Sequence, residues 1–271
     1  MPVVPPFQPK EPAAQLLRGR RALVTGADSG IGQGIAYELA AHGAAVAIDH
    51  VGAPDVAEAM AEEIAGGGGS AFALAMDVAD EDSVEQGFAL AAERLGGLDL
   101  LVNNAGVERK YALVDMPLAE WRRMLDVNLT GTFLCSRAAA RIMLTAPHEA
   151  PRAIVNISSV HEVIPWEGFS HYCATKGGVK LFAQSIAREL APHGIRVVNV
   201  APGAIATPIN ADVLADAQAR KAVEDEIPLG RWGEVPDVAA AVAWVASEQA
   251  GYVVGSTLFV DGGMTLYPNF V

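Results

Sequence analysis

Tyr172 and Lys176 stand four residues apart in a segment that reads as a helix, so their side chains share one face. That pairing can make a proton-transfer group. A free phenol titrates near 10, and service as a base near neutrality requires lowering that by about 3 units, or roughly 4 kcal/mol. One cation at about 4 Å in an effective dielectric near 20 supplies about 4 kcal/mol. A single lysine is therefore large enough. Such pairs also occur by chance on helix surfaces, and what distinguishes this one is its company. Ser158-Ser159 closes an apolar run thirteen residues before Tyr172, and Asn103-Asn104-Ala105-Gly106 follows an earlier run.

The first apolar run leads into Thr25-Gly26-Ala27-Asp28-Ser29-Gly30-Ile31-Gly32 and then an Ala-rich helical stretch. Glycines so placed let the backbone turn tightly and approach a pyrophosphate resting on the helix N-terminus. The spacing is GxxxGxG rather than the commoner GxGxxG, and a glycine triplet alone could be a packing turn. Strand, loop, helix and downstream acid in this order point instead to a dinucleotide. The acid is Asp49, nineteen residues after Gly30. It could accept hydrogen bonds from the adenosine ribose, or merely cap the following turn. No Lys or Arg lies in the glycine loop or between Asp49 and Asp55, so a 2′-phosphate would find no evident cation. NAD is favoured, with NADP left open.

These groups need a scaffold that gathers loop ends. Apolar runs at 22–25, 44–49, 70–76, 99–102, 153–158, 195–200 and 257–260 alternate with helical stretches near 31–42, 54–65, 80–95, 118–145, 171–191 and 235–248. The alternation predicts an α/β fold: a single doubly wound Rossmann-type domain over residues 20–271, its seven-stranded parallel sheet covered by helices on both faces. Residues 1–19 carry prolines at 2, 5, 6, 9 and 12 and read as an extended arm outside the core. Residues 204–233 have turn residues at both ends and no strand, a long excursion of the kind that serves as a lid.

Apolar residues make up 51% of the 271-residue chain, enough to bury a large core. A formal net charge of −13 argues against nucleic acid as a partner. Cys135 and Cys173 lack disulfide or metal-ligand spacing, and the chain starts without a signal-peptide pattern, which fits a cytoplasmic compartment and no metal. No apolar stretch reaches the roughly 18 residues a membrane span needs.

With TGxxxGxG, NNAG, Ser159, YxxxK and Pro202-Gly203 in order, the chain from about residue 20 to 271 resembles the short-chain dehydrogenase/reductase family. The resemblance implies a catalytic triad of Ser159, Tyr172 and Lys176. It implies that Asn128, in Asp126-Val127-Asn128, completes a tetrad by holding the helix backbone and water that relay the proton. Cofactor contacts are implied along the glycine loop at Gly26, Ser29, Gly30, Ile31 and Gly32, and after the second strand at Asp49 and His50. Asp77 and Val78 would meet adenine, and Asn104, with Ala105 and Gly106 beside it, the neighbouring ribose. Pro202, Gly203, Ile205 and Thr207 would serve the nicotinamide side, with Tyr172 and Lys176.

The second half is most similar to the bacterial glucose 1-dehydrogenases of that family, through Ser158-Ser159-Val160-His161-Glu162, Ile164-Pro165-Trp166, Thr207-Pro208-Ile209-Asn210 and Asp261 to Pro268. The first half departs from them, with Asp49-His50-Val51-Gly52 where those enzymes often carry a basic residue. This likeness implies oxidation of the C1 hydroxyl of an aldose to a lactone. Tyr172 would take the proton, Ser159 would hold the reacting oxygen, and hydride would pass to nicotinamide. Glu108, His161, Glu162, Trp166, His171 and Asn210 are candidates to bind sugar hydroxyls. The rivals are a family member acting on a steroid, polyol or acyl thioester, and a non-catalytic NAD-binding scaffold. The apolar end, Met264 to Val271, is expected to be buried in a homotetramer or folded back on its own subunit.

Overall fold

The computed structural model describes residues 15–145 and 151–266. All seven apolar runs are strands: β1 (Arg21–Val24), β2 (Ala45–His50), β3 (Ser70–Ala75), β4 (Leu100–Asn103), β5 (Arg152–Ile157), β6 (Ile195–Pro202) and β7 (Thr257–Val260). They form one parallel sheet in the order β3-β2-β1-β4-β5-β6-β7. The order reverses between β1 and β4, which is the switch point where open α/β sheets bind ligands. Strands β4, β5 and β6 are buried along their whole length, which explains their predominantly apolar sequence; Asn103, Asn156 and Asn199, the buried polar residues that line up across them, bond to one another.

The described helices are α1 (Gly30–Ala41), α2 (Pro54–Gly66), α3 (Glu81–Leu95), α4 (Leu118–Leu125), α5 (Gly131–Thr145), α6 (Ser170–Leu190), α7 (Ala211–Ala215), α8 (Ala217–Asp225) and α9 (Val235–Ala246). Alternation along the strands divides the core in two. Ala22, Val24, Val102 and Val155 pack on one face with Ile35 and Leu39 of α1, Met60 of α2 and Val242 of α9. Leu23, Leu101 and Ile154 pack on the other with Phe88 of α3, Leu134 and Met143 of α5 and Ala183 of α6. Burying each Leu or Val removes about 1.5–3 kcal/mol of exposure cost. The sheet edge above these cores is thereby held rigid, and the loops it carries are placed by it.

Two expectations need correction. The single helix expected over 118–145 is α4 and α5 joined by a π-helical turn, Asp126–Thr130. Asn128 sits in that widened turn and is buried, its amide bonded to the backbone of Val107. The arm expected over residues 1–19 does not extend through its last residues. Leu17 is fully buried in the first core, and the N–H groups of Leu17 and Gly19 donate to the carbonyls of His42 and Gly43. All five prolines of the arm lie outside the described residues. The excursion over 204–233 carries no named strand, as expected; it holds the short helices α7 and α8 and is pinned at its ends by one parallel bridge between Ile205 and Gly233. Among the described residues no helix is long and apolar enough to cross a membrane.

Candidate active site

The carboxyl edge of the sheet opens into a cleft of about 1030 Å³ that runs from the loop after β1 to the start of α6. Its first wall is the glycine loop. Gly26 and Gly30 take positive φ angles of 56° and 54°, which side-chain-bearing residues adopt only under strain. A Cβ on Gly32 would run into the Asn104 amide and the Gly26 carbonyl. Asn104 explains the closeness: its Nδ2 donates to the carbonyls of Thr25 at 3.0 Å and Gly26 at 2.8 Å. The Thr25 hydroxyl in turn accepts from the N–H groups of Asn104 and Ala105. The loops after β1 and β4 are thus locked together across the switch point. Ser29 caps α1 without a side-chain bond to the helix, leaving the first-turn N–H groups directed at the cleft. Such a terminus holds a phosphate well.

The opposite end carries the proton-transfer groups. Ser159 follows β5, and its hydroxyl bonds to the Tyr172 phenol. It also accepts from the His161 N–H at 3.1 Å. Lys176 lies one turn beyond Tyr172 on α6, its ammonium 5.5 Å from the phenol ring centre and donating to the Ile157 carbonyl at 2.9 Å. In the protein chain itself the lysine does not hold the phenol low. Burial raises the Tyr172 hydroxyl above its ordinary range, opposed by the Ser159 hydrogen bond and reinforced by the Glu108 charge. Burial likewise lowers Lys176 to about 8, against the pull of Glu108 and Glu162. One favourable charge beside the phenol is outweighed here by desolvation, the larger effect.

Asn128 forms a reciprocal pair with Val107: its Oδ1 accepts from the N–H at 2.8 Å and its Nδ2 donates to the carbonyl at 2.9 Å. Its contacts hold the loop after β4 rather than α6 alone, although Nδ2 also approaches the Thr175 hydroxyl at 3.4 Å.

Of the residues expected at the cofactor, Gly26, Ser29, Gly30, Ile31, Gly32, Asp77, Val78, Asn104, Ala105, Gly106, Pro202, Gly203, Ile205 and Thr207 line the cleft with Tyr172 and Lys176. Asp49 does so only from below. It is 1% exposed, its Oδ2 accepts from the Gly26 N–H at 3.0 Å, and its Oδ1 has no partner. Its Oδ2 braces the loop, while the carboxylate as a whole stands among the cleft-lining groups. Burial raises it to about 7, eased by the Gly26 N–H and reinforced by Asp28. His50 is buried and stands outside the cleft.

Glu108 and Asn210 line the cleft, with Asn210 donating to the Ile205 carbonyl at 2.9 Å. Burial raises Glu108, and the nearby Lys176 opposes the rise. His161 and Trp166 do not line the cleft but stack at 4.4 Å, each with its ring edge-on to Tyr172 at 6.1 Å. Phe169 stacks on Trp166 at 3.6 Å and extends this platform. Sequence reasoning missed it, and the aromatic spacing of 166, 169 and 172 could have shown it. Glu162 and His171 are buried and face away from the cleft: Glu162 contacts Ser158 and Lys180, and His171 packs edge-on to Tyr111. Arg122 and Arg123 of α4 also line the cleft and were missed. An adjacent pair of cations in so acidic a chain was their only signal.

Residues 26–265 match the family model described as enoyl-(acyl carrier protein) reductase. The chain is 45% identical over 255 residues to 3β-hydroxysteroid dehydrogenase 1 of Eggerthella lenta, covering 94% of this chain and 97% of that one. The chain belongs to the short-chain dehydrogenase/reductase family. It is also 40% identical to glucose 1-dehydrogenase 2 of Bacillus subtilis, over 93% of this chain and 97% of that one. Among solved structures, a gluconate 5-dehydrogenase from Burkholderia cenocepacia J2315 in complex with NADP and tartrate aligns with a TM-score of 0.89 at 34% identity, over 94% of this chain and 99% of that one. The short-chain dehydrogenase/reductase reading of the motifs therefore holds, and with it an NAD(P)-dependent oxidoreductase. The residues present fit such a cofactor: Gly26 and Gly32 leave no room for a Cβ beside Ala105 and Asn104, which keeps the loop backbone bare, and Gly30, Ile31 and Gly32 at the start of α1 line the cleft.

Proposed function

We propose that this enzyme oxidises the C1 hydroxyl of a glucose-like aldose to the lactone with NAD as hydride acceptor. The observation that carries the reading is the assembly of Ser159, Tyr172 and Lys176 on one wall of a cleft whose other wall is the glycine loop. When bound, nicotinamide supplies the hydride-accepting carbon. The Ser159 hydroxyl orients the reacting oxygen, and the Tyr172 oxygen takes its proton. Lys176 stabilises the phenolate and the positive nicotinamide adds to it, which offsets the burial that raises the phenol. Glu108 and Asn210 accept and donate hydrogen bonds to the remaining hydroxyls, and the His161–Trp166–Phe169 stack offers apolar ring faces near Tyr172.

NAD is the preferred cofactor because Asp28, Asp49 and Asp77 gather at the glycine-loop end of the cleft, where a 2′-phosphate would meet like charge. The protein works in the cytoplasm as a homotetramer. Half-exposed β7 and the exposed Trp244 of α9 leave apolar surface for neighbouring subunits. A second reading, oxidation of an apolar polycyclic alcohol such as a 3β-hydroxysteroid, is favoured by the exposed Ile209 on the cleft wall. Steady-state kcat/KM across aldoses, polyols and 3β-hydroxysteroids, each with NAD and NADP, decides between them. A steroid turned over with far higher kcat/KM than any aldose refutes the sugar assignment.

A further inference from the structure

The Glu162 side chain is fully buried in the turn after β5, where its Oε2 accepts from the Ser158 hydroxyl at 2.7 Å. Its Oε1 makes no hydrogen bond and has one cation within 4.0 Å, Lys180 at 3.4 Å, which is itself about a third exposed. A buried carboxylate so thinly compensated is costly unless a second positive charge is near. The second charge is Lys176, one turn before Lys180 on α6. Lys176 donates to the carbonyl of Ile157, the residue preceding Ser158. The contacts of Glu162 therefore bracket Lys176 on both sides: the end of β5 that anchors its ammonium, and the next turn of its own helix.

We propose that Glu162 is a positioning residue that braces the end of β5 against α6 and keeps the Lys176 ammonium protonated. This rests on the assignment of Lys176 to proton chemistry. The groups facing Lys176 are Glu108 from the loop after β4, Glu162 from the turn after β5, the Ile157 carbonyl of β5, and Tyr172 from α6 itself, while Lys180 on the next turn of α6 pairs with Glu162. Burial lowers Lys176, and only the Glu108 and Glu162 carboxylates raise it. Glu108 lies in the cleft and is free to engage a ligand, whereas Glu162 is sealed away from it, so the support from Glu162 persists through the catalytic cycle.

The test measures the Lys176 titration directly, by NMR of lysine side-chain amines in the full-length protein, where five lysines keep the spectrum simple and Lys176→Arg assigns the signal. Glu162→Gln lowers the Lys176 titration by about one pH unit, a tenfold loss of proton affinity. Lys180→Met moves it upward, because the Glu162 carboxylate loses the cation it now shares its charge with. The alkaline limb of the kcat profile follows both shifts. Unmoved titration in both variants, or movement in the same direction, overturns the proposal. So does a Glu162→Gln protein that melts earlier with Lys176 unchanged, which marks a purely structural role. If Glu162→Gln fails to fold, the partly exposed Lys180 site still gives the upward shift or refutes it. Failure of the wild type to oxidise any alcohol would sink the dehydrogenase assignment while leaving the NMR result readable.

Discussion

Asp49→Asn removes a charge that the fold holds at a cost, and its effect on stability depends on pH in a calculable way. Burial raises the carboxyl to about 7, with the Gly26 N–H opposing and Asp28 and Asp77 adding to the rise. In the unfolded chain the value is about 3.9. Below about pH 4 both states hold the proton and nothing is lost. Between about 4 and 7 the folded state keeps a proton that the unfolded state has released, so stability falls as pH rises. The total is about 3 units, or roughly 4 kcal/mol, and it is fully lost above about 7. Asparagine does not titrate, and its oxygen can still accept from the Gly26 N–H. Its amide donors replace an oxygen that has no partner, a pH-independent cost of about 1–3 kcal/mol. The variant is therefore expected to be less stable than wild type at pH 4 and more stable at pH 8, by about 1–3 kcal/mol in each direction. Urea unfolding of both proteins from pH 4 to 8 measures the change. A stability difference that stays constant across that range refutes the reasoning, because the offset cannot mimic a pH-dependent term.

Tyr172→Phe removes the proton acceptor and is expected to cut turnover by about 10²–10⁴-fold while NADH binding, followed by fluorescence, stays within about threefold. Turnover within tenfold of wild type would end the assignment. Asn128→Ala strands both backbone groups of Val107 and is expected to cost about 2–4 kcal/mol in chemical denaturation, with turnover lost in proportion to the displaced loop. Val51 lines the cleft and is 64% exposed, so Val51→Arg is expected to improve kcat/KM for NADP relative to NAD; an unchanged ratio would place the 2′-position elsewhere. Deleting residues 265–271 is expected to raise KM for sugar and lower the mass seen by light scattering together, and a full-length monomer with normal activity would dismiss the tetramer.

The fold was legible because each strand is mostly apolar and most of the long helices begin or end at a glycine or proline, and both signals are local. The catalytic trio was legible for the same reason, since Ser159 ends a strand and Tyr172 and Lys176 share a helix turn. What failed was anything set by burial or by partners distant in sequence. Asp49 is aimed by its bond to Gly26, twenty-three residues away, and Glu162 by Ser158 and Lys180. Leu17 belongs to the core because the carbonyls of α1's end capture its backbone, which a proline-rich neighbourhood conceals. The broken helix at Asn128 was hidden too, because a π-turn leaves the apolar period nearly intact while rotating one polar side chain inward.

Burial-shifted charges are not confined to the cleft, and comparing the two sets shows what marks a site. At the opposite edge of the sheet, burial lowers Arg20 to about 10 and also lowers Arg196. Their bonds go to main-chain carbonyls: Arg20 to Asp99, Arg196 to Ala246 and Ser247. Arg21 grips the Asp99 carboxylate through two nitrogens. Arg20 and Arg21 tie the starts of β1 and β4 together, Arg196 ties the start of β6 to the end of α9, and none of them lines the cleft. Perturbation alone therefore reflects packing as readily as chemistry. At the carboxyl edge the perturbed groups, Glu108, Tyr172 and Lys176, differ in that all three line one cavity and act on one another. A ligand entering that cavity changes the charge balance of the whole set at once, and that coupling to the cavity separates a catalytic wall from a structural brace.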